Sequence, residues 1–235
     1  MSKEEFIKTL SANGLVLDDK QIGQLDDYAA FLKEYNQKIN LTGIDEYEDV
    51  LDKHFYDSLL LSFNFDLKGS FVDVGTGAGF PGVVLKICYP DLRVVLLEPL
   101  KKRCVFLNEL ITKLDLHDIE VINTRGEEYT LKHREEFDYV SARAVSNMNM
   151  LIEVCGGLVK LDGYFIALRG LNGKDELNGA SKAIGQMGFI KESEKECNLF
   201  DGSKRYIAYL KKKSLTPKKY PRNYSIIVRK PLWVK

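Results

Sequence analysis

The chain has 235 residues, 45% hydrophobic and 29% charged, a balance that excludes a disordered or collagen-like polymer and suits one folded domain with a modest extension. Its longest charge-free stretch, residues 74–85, holds four glycines and a proline and falls far short of the ~20 apolar residues of a membrane span. Glu4 and Glu5 stand where a signal peptide carries a basic patch and an apolar core, so a cytoplasmic location with no membrane partner is expected.

Net charge is zero, with 34 basic and 34 acidic residues, but the distribution is uneven. From Gly202 onward there are eleven Lys or Arg and no Asp or Glu, which leaves a body of −11 and a tail of +11. Such asymmetry points to nucleic acid or another anionic surface; the alternatives are a tail docked on its own acidic body or a solvated end. Cys88, Cys104, Cys155 and Cys197 form no C-x-x-C pair and no His completes a zinc site, so reduced thiols and no metal are expected.

In chain order, Ser2 followed by Glu5 has capping-box spacing, and Asp18 precedes a helical stripe of Ile22, Leu25, Ala29, Leu32 and Tyr35. A third helical segment, 47–63, sets Val50, Leu51, His54, Asp57, Ser58 and Leu61 along one side. From Gly69 the pattern changes to strands at 71–74, 93–98, 119–123, 137–142 and 163–168, with helices at 83–88, 100–114, 148–160 and 175–187 between them. That alternation predicts a parallel sheet with crossover helices. Two last strands, 188–198 and 205–210, joined by an Asp-Gly turn, are expected to be antiparallel.

The sharpest motif is Asp73-Val-Gly75-Thr-Gly77-Ala-Gly79-Phe80-Pro81-Gly82, a strand running into a glycine turn and then a helix. Glycines allow tight turns and close approach of a ligand to the backbone, the logic of a nucleotide-type cofactor loop. A dinucleotide fingerprint would need glycine at position 80, where Phe80 stands, and no Gly-Lys-Ser/Thr follows for a Walker loop. The G-x-G-x-G form after Asp73 resembles instead the loop of Rossmann-like S-adenosylmethionine-dependent methyltransferases.

Glu98, at the end of the second strand, is placed to accept from ribose hydroxyls, or is a solvated glutamate before a helix. Gly126 and Glu127, after the third strand, sit where an adenine ring would lie, or form an exposed turn. Arg143 ends the fourth strand and needs a carboxylate partner, either the cofactor's amino-acid end or a neighbouring acid. That strand end lacks the Asn/Asp-Pro-Pro-Tyr/Phe sequence of amine methylation, and no Pro-Cys pair offers a thiolate for carbon methylation. Guanine N7 carries a lone pair and no proton, so its methylation calls for positioning rather than a general base.

Asn40-Leu-Thr42, His54-Phe-Tyr-Asp57-Ser58-Leu59, the glycine loop, Lys101-Lys-Arg103 with Phe106-Leu107, Arg125-Gly-Glu127, Ser141-Ala-Arg143-Ala144 and Lys219-Tyr-Pro-Arg222 occur in this order. Together they resemble the bacterial small-subunit ribosomal RNA guanine-N7 methyltransferase family, also called glucose-inhibited division protein B. The resemblance implies a class I α/β/α fold with a mostly parallel seven-stranded sheet and a helical N-terminal extension. It implies methyl transfer from S-adenosylmethionine to N7 of guanine 527 in 16S rRNA, on the RNA or the small ribosomal subunit.

The expected division is a helical cap (1–65), a methyltransferase domain (66–213) and a basic extension packed near the site (214–235). Asp73, Gly75, Gly77, Gly79, Phe80, Glu98, Gly126, Glu127 and Arg143 are the expected cofactor residues, Gly126 standing where the family usually has alanine. Asn40, His54, Lys219 and Arg222 are the expected substrate residues, His54 having helix packing as its alternative role. No catalytic residue is assigned. The tail departs from the family, with Asn223-Tyr-Ser-Ile-Ile227 replacing a Gly-Thr-Pro turn, while Lys218, Lys219, Arg222, Arg229 and Lys230 keep its charge for phosphate contacts. A methyltransferase for a protein or small molecule, or a non-catalytic cofactor-binding module, are the competing readings; a nicotinamide dehydrogenase is more distant.

Overall fold

The computed structural model describes residues 1–63, 65, 67–143 and 147–233. Asp66 at the expected domain start, Ala144 in the fourth-strand motif and Lys235 in the tail lie outside the described residues.

Ser2 and Asp18 open α1 (Lys3–Ala12) and α2 (Asp19–Asn36). Each cap side chain accepts the N–H three residues on, and Glu5 or Gln21 accepts the cap's own N–H in return, so two donors that a helix start would orphan are satisfied. The third segment is not one regular helix. It runs as α3 (Tyr47–Val50), a π turn over Leu51–Tyr56 and α4 (Asp57–Leu59), so the wider turn falls on the stretch that carries His54.

The sheet is built from β1 (Ser70–Val74), β2 (Arg93–Leu97), β3 (Ile119–Ile122), β4 (Phe137–Arg143), β5 (Val159–Arg169), β6 (Phe189–Asn198) and β7 (Lys204–Lys212). Their order is β3-β2-β1-β4-β5-β7-β6; β7 is antiparallel to both neighbours and the other pairs are parallel. Helices α5 (Gly82–Cys88), α6 (Lys101–Lys113), α7 (Gly126–Thr130), α8 (Met148–Gly156), α9 (Gly173–Gly179), α10 (Ser181–Gln186) and α11 (Tyr224–Arg229) complete the chain. This is the expected three-layer α/β/α arrangement.

One face of the sheet packs with α5, α6 and the N-terminal helices in a single core that includes Leu10, Tyr28, Phe55, Val83, Leu107 and Tyr209. The helical lead-in therefore shares its core with the sheet. The other face buries Met148, Ile152, Leu177 and Ile184 from α8 to α10, together with Tyr220 and Leu232 of the tail.

Three local expectations change. The helix expected over 148–160 stops at Gly156, and β5 begins at Val159 because the Gly156-Gly157 pair ends the helix and Val159 pairs with Phe137. The helix expected over 175–187 breaks at Ala180, after Asn178 and Gly179, which propagate helices poorly. α7 and α11 are too short to leave a periodic signal.

Candidate functional site

β1 and β4 are neighbours whose connections leave in opposite directions, the switch point where open α/β sheets bind ligands beyond the strands' carboxyl ends. The glycine loop leaves β1 there, and Arg143 ends β4 beside it. Gly75, Gly77 and Gly79 all have positive φ (71°, 62° and 101°), which explains the residue choice. Their surroundings differ. A Cβ on Gly77 would meet open space, whereas one on Gly79 would lie 2.6 Å from the Tyr28 hydroxyl. Gly77 is thus the open face of the loop and Gly79 its packed underside.

Asp73 lies beneath this loop and is fully buried. Its Oδ2 accepts from Thr76 Oγ1 (2.7 Å) and Gly82 N–H (2.9 Å), while Oδ1 has no partner; burial pushes its carboxyl up to about 6. Asp73 therefore shapes the loop and does not line the groove. Glu98 does line it, with its carboxylate accepting from Gly77 N–H (3.0 Å) and Leu100 N–H (2.8 Å).

The groove of about 480 Å³ over Gly75, Gly77 and Glu98 continues past Gly75 and Pro99 into a narrow, mostly apolar slot. Gly126, Glu127, Met150, Leu151, Val154 and Tyr224 line that slot. Glu127 Oε1 is buried without a partner, and burial raises its pKa. An unpaired acceptor at the wall of a flat apolar slot suits the amino edge of a purine. The open face at Gly77 and this orphaned acceptor both fit S-adenosylmethionine, with Arg143 at the far end of the groove.

Phe80 is sandwiched between Tyr28 (5.3 Å, 15°) and His54 (4.3 Å, 19°), with the Arg143 guanidinium 5.1 Å from its ring centroid. His54 contacts Thr42 Oγ1 through Nε2 (2.9 Å); its Nδ1 faces Lys53 O (3.2 Å) and Arg143 Nη2 (3.3 Å). Burial and the Arg143 charge push its pKa down to about 4, so the ring is neutral at pH 7.

Arg143 finds its carboxylate inside the protein. Nη1 donates to Asp57 Oδ2 (3.1 Å), and Arg205 Nε donates to the other oxygen (2.7 Å). The neighbouring acid is thus present in the fold, and Arg143 also lines the groove. Asp57, Lys53, Arg143, Arg169 and Arg205 line a second cleft, of about 660 Å³, that meets the groove at His54 and Arg143. Asp52, buried on the π turn, accepts the N–H groups of Phe200 and Asp201 (3.0 Å each) and so fixes the β6–β7 turn as this cleft's far wall.

The remaining substrate candidates are dispersed. Asn40 is exposed on the loop after α2, outside both clefts; Asn36 organises that loop by accepting the N–H groups of Leu41 (2.9 Å) and Thr42 (3.1 Å). Lys219 is exposed on the tail. Arg222, expected to contact phosphate, is held by buried Glu153 through Nε (2.7 Å) and Nη2 (2.6 Å), because a carboxylate sealed in α8 requires a cation. Lys212 is likewise buried, donating to Gly156 O (2.8 Å), Met187 O (3.0 Å) and Thr216 Oγ1, and burial pushes its pKa down to about 7. Part of the basic tail thus serves to dock it, leaving Lys218, Lys219, Arg229 and Lys230 exposed.

Thr42, Lys53, Arg205 and Tyr224 also line these cavities, with no site role expected of them from the sequence. Only the His54 and Asp57 spacing on the third segment hinted at a second wall. Among the described residues, no group of three or more His, Cys, Asp or Glu is placed to hold a metal, and no helix is long and apolar enough to cross a membrane.

A sheet of this order, with a glycine turn at its switch point, an acid ending the next strand and a mostly apolar slot beyond it, defines a Rossmann-like methyltransferase. The solved structures agree on the fold. An S-adenosylmethionine-dependent methyltransferase from Aquifex aeolicus superposes with a TM-score of 0.54 at 16% identity, covering 76% of this chain and 97% of that one. Precorrin-6y C5,15-methyltransferase from Geobacter metallireducens gives 0.51 at 16% identity, covering 75% and 92%. The sequence profile of rRNA small subunit methyltransferase G (GidB) matches residues 21–212. The ribosomal RNA small subunit methyltransferase G of Lysinibacillus sphaericus is 40% identical over 237 residues, 99% of this chain and 100% of the relative. That of Bacillus cytotoxicus is 42% identical over 227 residues, 94% and 95% of the two chains. The chain belongs to the rRNA small subunit methyltransferase G family and is an S-adenosylmethionine-dependent methyltransferase.

Proposed function

We propose that this chain is a cytoplasmic enzyme that methylates N7 of guanine 527 in 16S rRNA, as the free RNA or within the small ribosomal subunit. The observation that carries this reading is the meeting of the glycine-lined groove with the cation-lined cleft at His54 and Arg143. When bound, S-adenosylmethionine supplies an electrophilic methyl group on a sulfonium.

The chain's own residues then have four tasks. Gly75, Gly77 and Glu98 hold the ribose end, with Asp73, Gly79 and Phe80 fixing the loop's shape. Gly126 and Glu127 receive the adenine. Arg143, shared by both clefts, turns toward the amino-acid end. His54, Lys53, Arg169 and Arg205 surround the incoming base, whose N7 has no proton to lose and therefore needs placement rather than a general base.

In this reading residues 66–213 bind the cofactor and 1–65 form one wall of the substrate cleft. Residues 214–235 offer Lys218, Lys219, Arg229 and Lys230 to phosphates, and Asn40, exposed next to Leu41 and Thr42 of the groove, is offered to RNA. The test is transfer of labelled methyl to small subunits and to bare 16S rRNA, both from cells lacking this protein. Label recovered as 7-methylguanosine at position 527 is the expected result. Cofactor binding with no label in either RNA would move a protein substrate or a binding-only role ahead.

A further inference from the structure

Residues 223–227, where the tail departs from its family's pattern, fold into the first part of α11. Asn223 caps that helix by accepting from Ser225 N–H (3.0 Å) and Ser225 Oγ (2.8 Å), and Ile227 is fully buried. Just before it, Arg222 is clamped to Glu153, whose Oε1 also accepts the Arg222 backbone N–H (2.9 Å). Glu153 belongs to α8, the helix that supplies Met150, Leu151 and Val154 to the apolar slot. One buried ion pair thus anchors the tail on the slot's own wall.

Tyr224 follows two residues later and lies against Arg125, with the guanidinium carbon 4.1 Å from the ring centroid. Both side chains line the slot with Glu127. The stacked guanidinium holds one part of the ring, and with 37% of Tyr224 exposed a further part is left to meet a ligand. Flat aromatic surface beside a mostly apolar slot gains by stacking or edge contact with a purine.

We infer that Tyr224 is an adenine-contacting residue contributed by the tail. The inference rests on the cofactor reading above.

Calorimetric titration of the full chain with S-adenosylhomocysteine and with 5′-methylthioadenosine, which lacks the amino-acid end, tests this. Tyr224→Ala and Tyr224→Leu should each weaken both ligands about three- to tenfold, while Tyr224→Phe binds as wild type does. Thermal melting of the free variants should fall by no more than the loss of one exposed stack on Arg125, so that each is folded at the titration temperature and the affinity change reads the ligand contact. Wild-type affinity in Tyr224→Ala or Tyr224→Leu would overturn the inference and leave the cofactor reading intact. Failure of the wild type to bind either ligand would instead remove the cofactor reading itself.

Discussion

Arg143 and Asp57 are 86 residues apart in the chain and 3.1 Å apart in the fold, Nη1 to Oδ2, where the end of β4 meets the helical lead-in. Asp57 is buried and also receives Arg205, so a single carboxylate is shared by two guanidinium groups and the trio keeps a net charge of +1. Asp57→Ala would leave those two cations facing each other in a partly buried cleft. The expected loss is about 3 kcal/mol, read as a lower urea midpoint at unchanged slope. A loss below about 0.5 kcal/mol would mean that solvent screens the cluster.

Arg143→Ala should weaken S-adenosylhomocysteine by about tenfold, the worth of a charge-assisted hydrogen bond, and leave 5′-methylthioadenosine unaffected. Methyl transfer should fall further than binding, since Arg143 lines both clefts. Unchanged affinity and rate would confine Arg143 to its ion pair with Asp57.

Two buried groups give the stability opposite pH dependences. His54 falls to about 4 in the fold from an ordinary 6.5, so between these values the unfolded chain binds more protons and stability drops as pH is lowered. Asp73 rises to about 6 from 3.8, so the folded chain binds more protons there and stability grows as pH is lowered. From pH 6 down to 4 the two effects oppose each other. His54→Gln should therefore gain stability relative to wild type on acidification through that window, and Asp73→Asn should lose it. Urea titrations at several pH values decide the matter; parallel curves for His54→Gln and wild type would show that the imidazole is not held neutral.

Gly126→Ala introduces the residue usual in the family, yet here its Cβ would lie 2.7 Å from Val74 Cγ1 and 2.8 Å from Val154 Cγ1. Overpacking of this kind costs about 1–3 kcal/mol, with a few tenths recovered from helix propensity in α7. The double variant Gly126→Ala, Val154→Ala should recover part of that loss. A fully stable single variant would mean that the two valines move aside freely.

Exposed and docked tail cations should behave differently toward RNA. Lys219→Ala should lower the log–log salt slope of RNA binding by about 0.7, one single-strand phosphate contact. Arg222→Ala should leave the slope nearly unchanged and lower the melting temperature, because its guanidinium is committed to Glu153. Equal slopes for Lys219→Ala and wild type would place the RNA elsewhere.

Local chemistry was readable from the residues alone. The glycine loop was legible because positive φ at positions 75, 77 and 79 demands glycine, and the caps at Ser2 and Asp18 because helix starts need a side-chain acceptor. The strand and helix alternation followed from the period of burial, and that alternation fixed the sheet class. What only the tertiary structure decided were the pairings across long sequence separations. Asp57 pairs with Arg143, Glu153 claims Arg222, and Lys212 is buried among carbonyls. A charged side chain shows its charge in the sequence but not its partner, since the choice depends on which desolvated carboxylate or carbonyl the fold brings within hydrogen-bond reach. The π turn that carries His54 and the helix that brings Tyr224 to the slot are likewise set by packing, because segments of six residues leave too short a period for the sequence to declare.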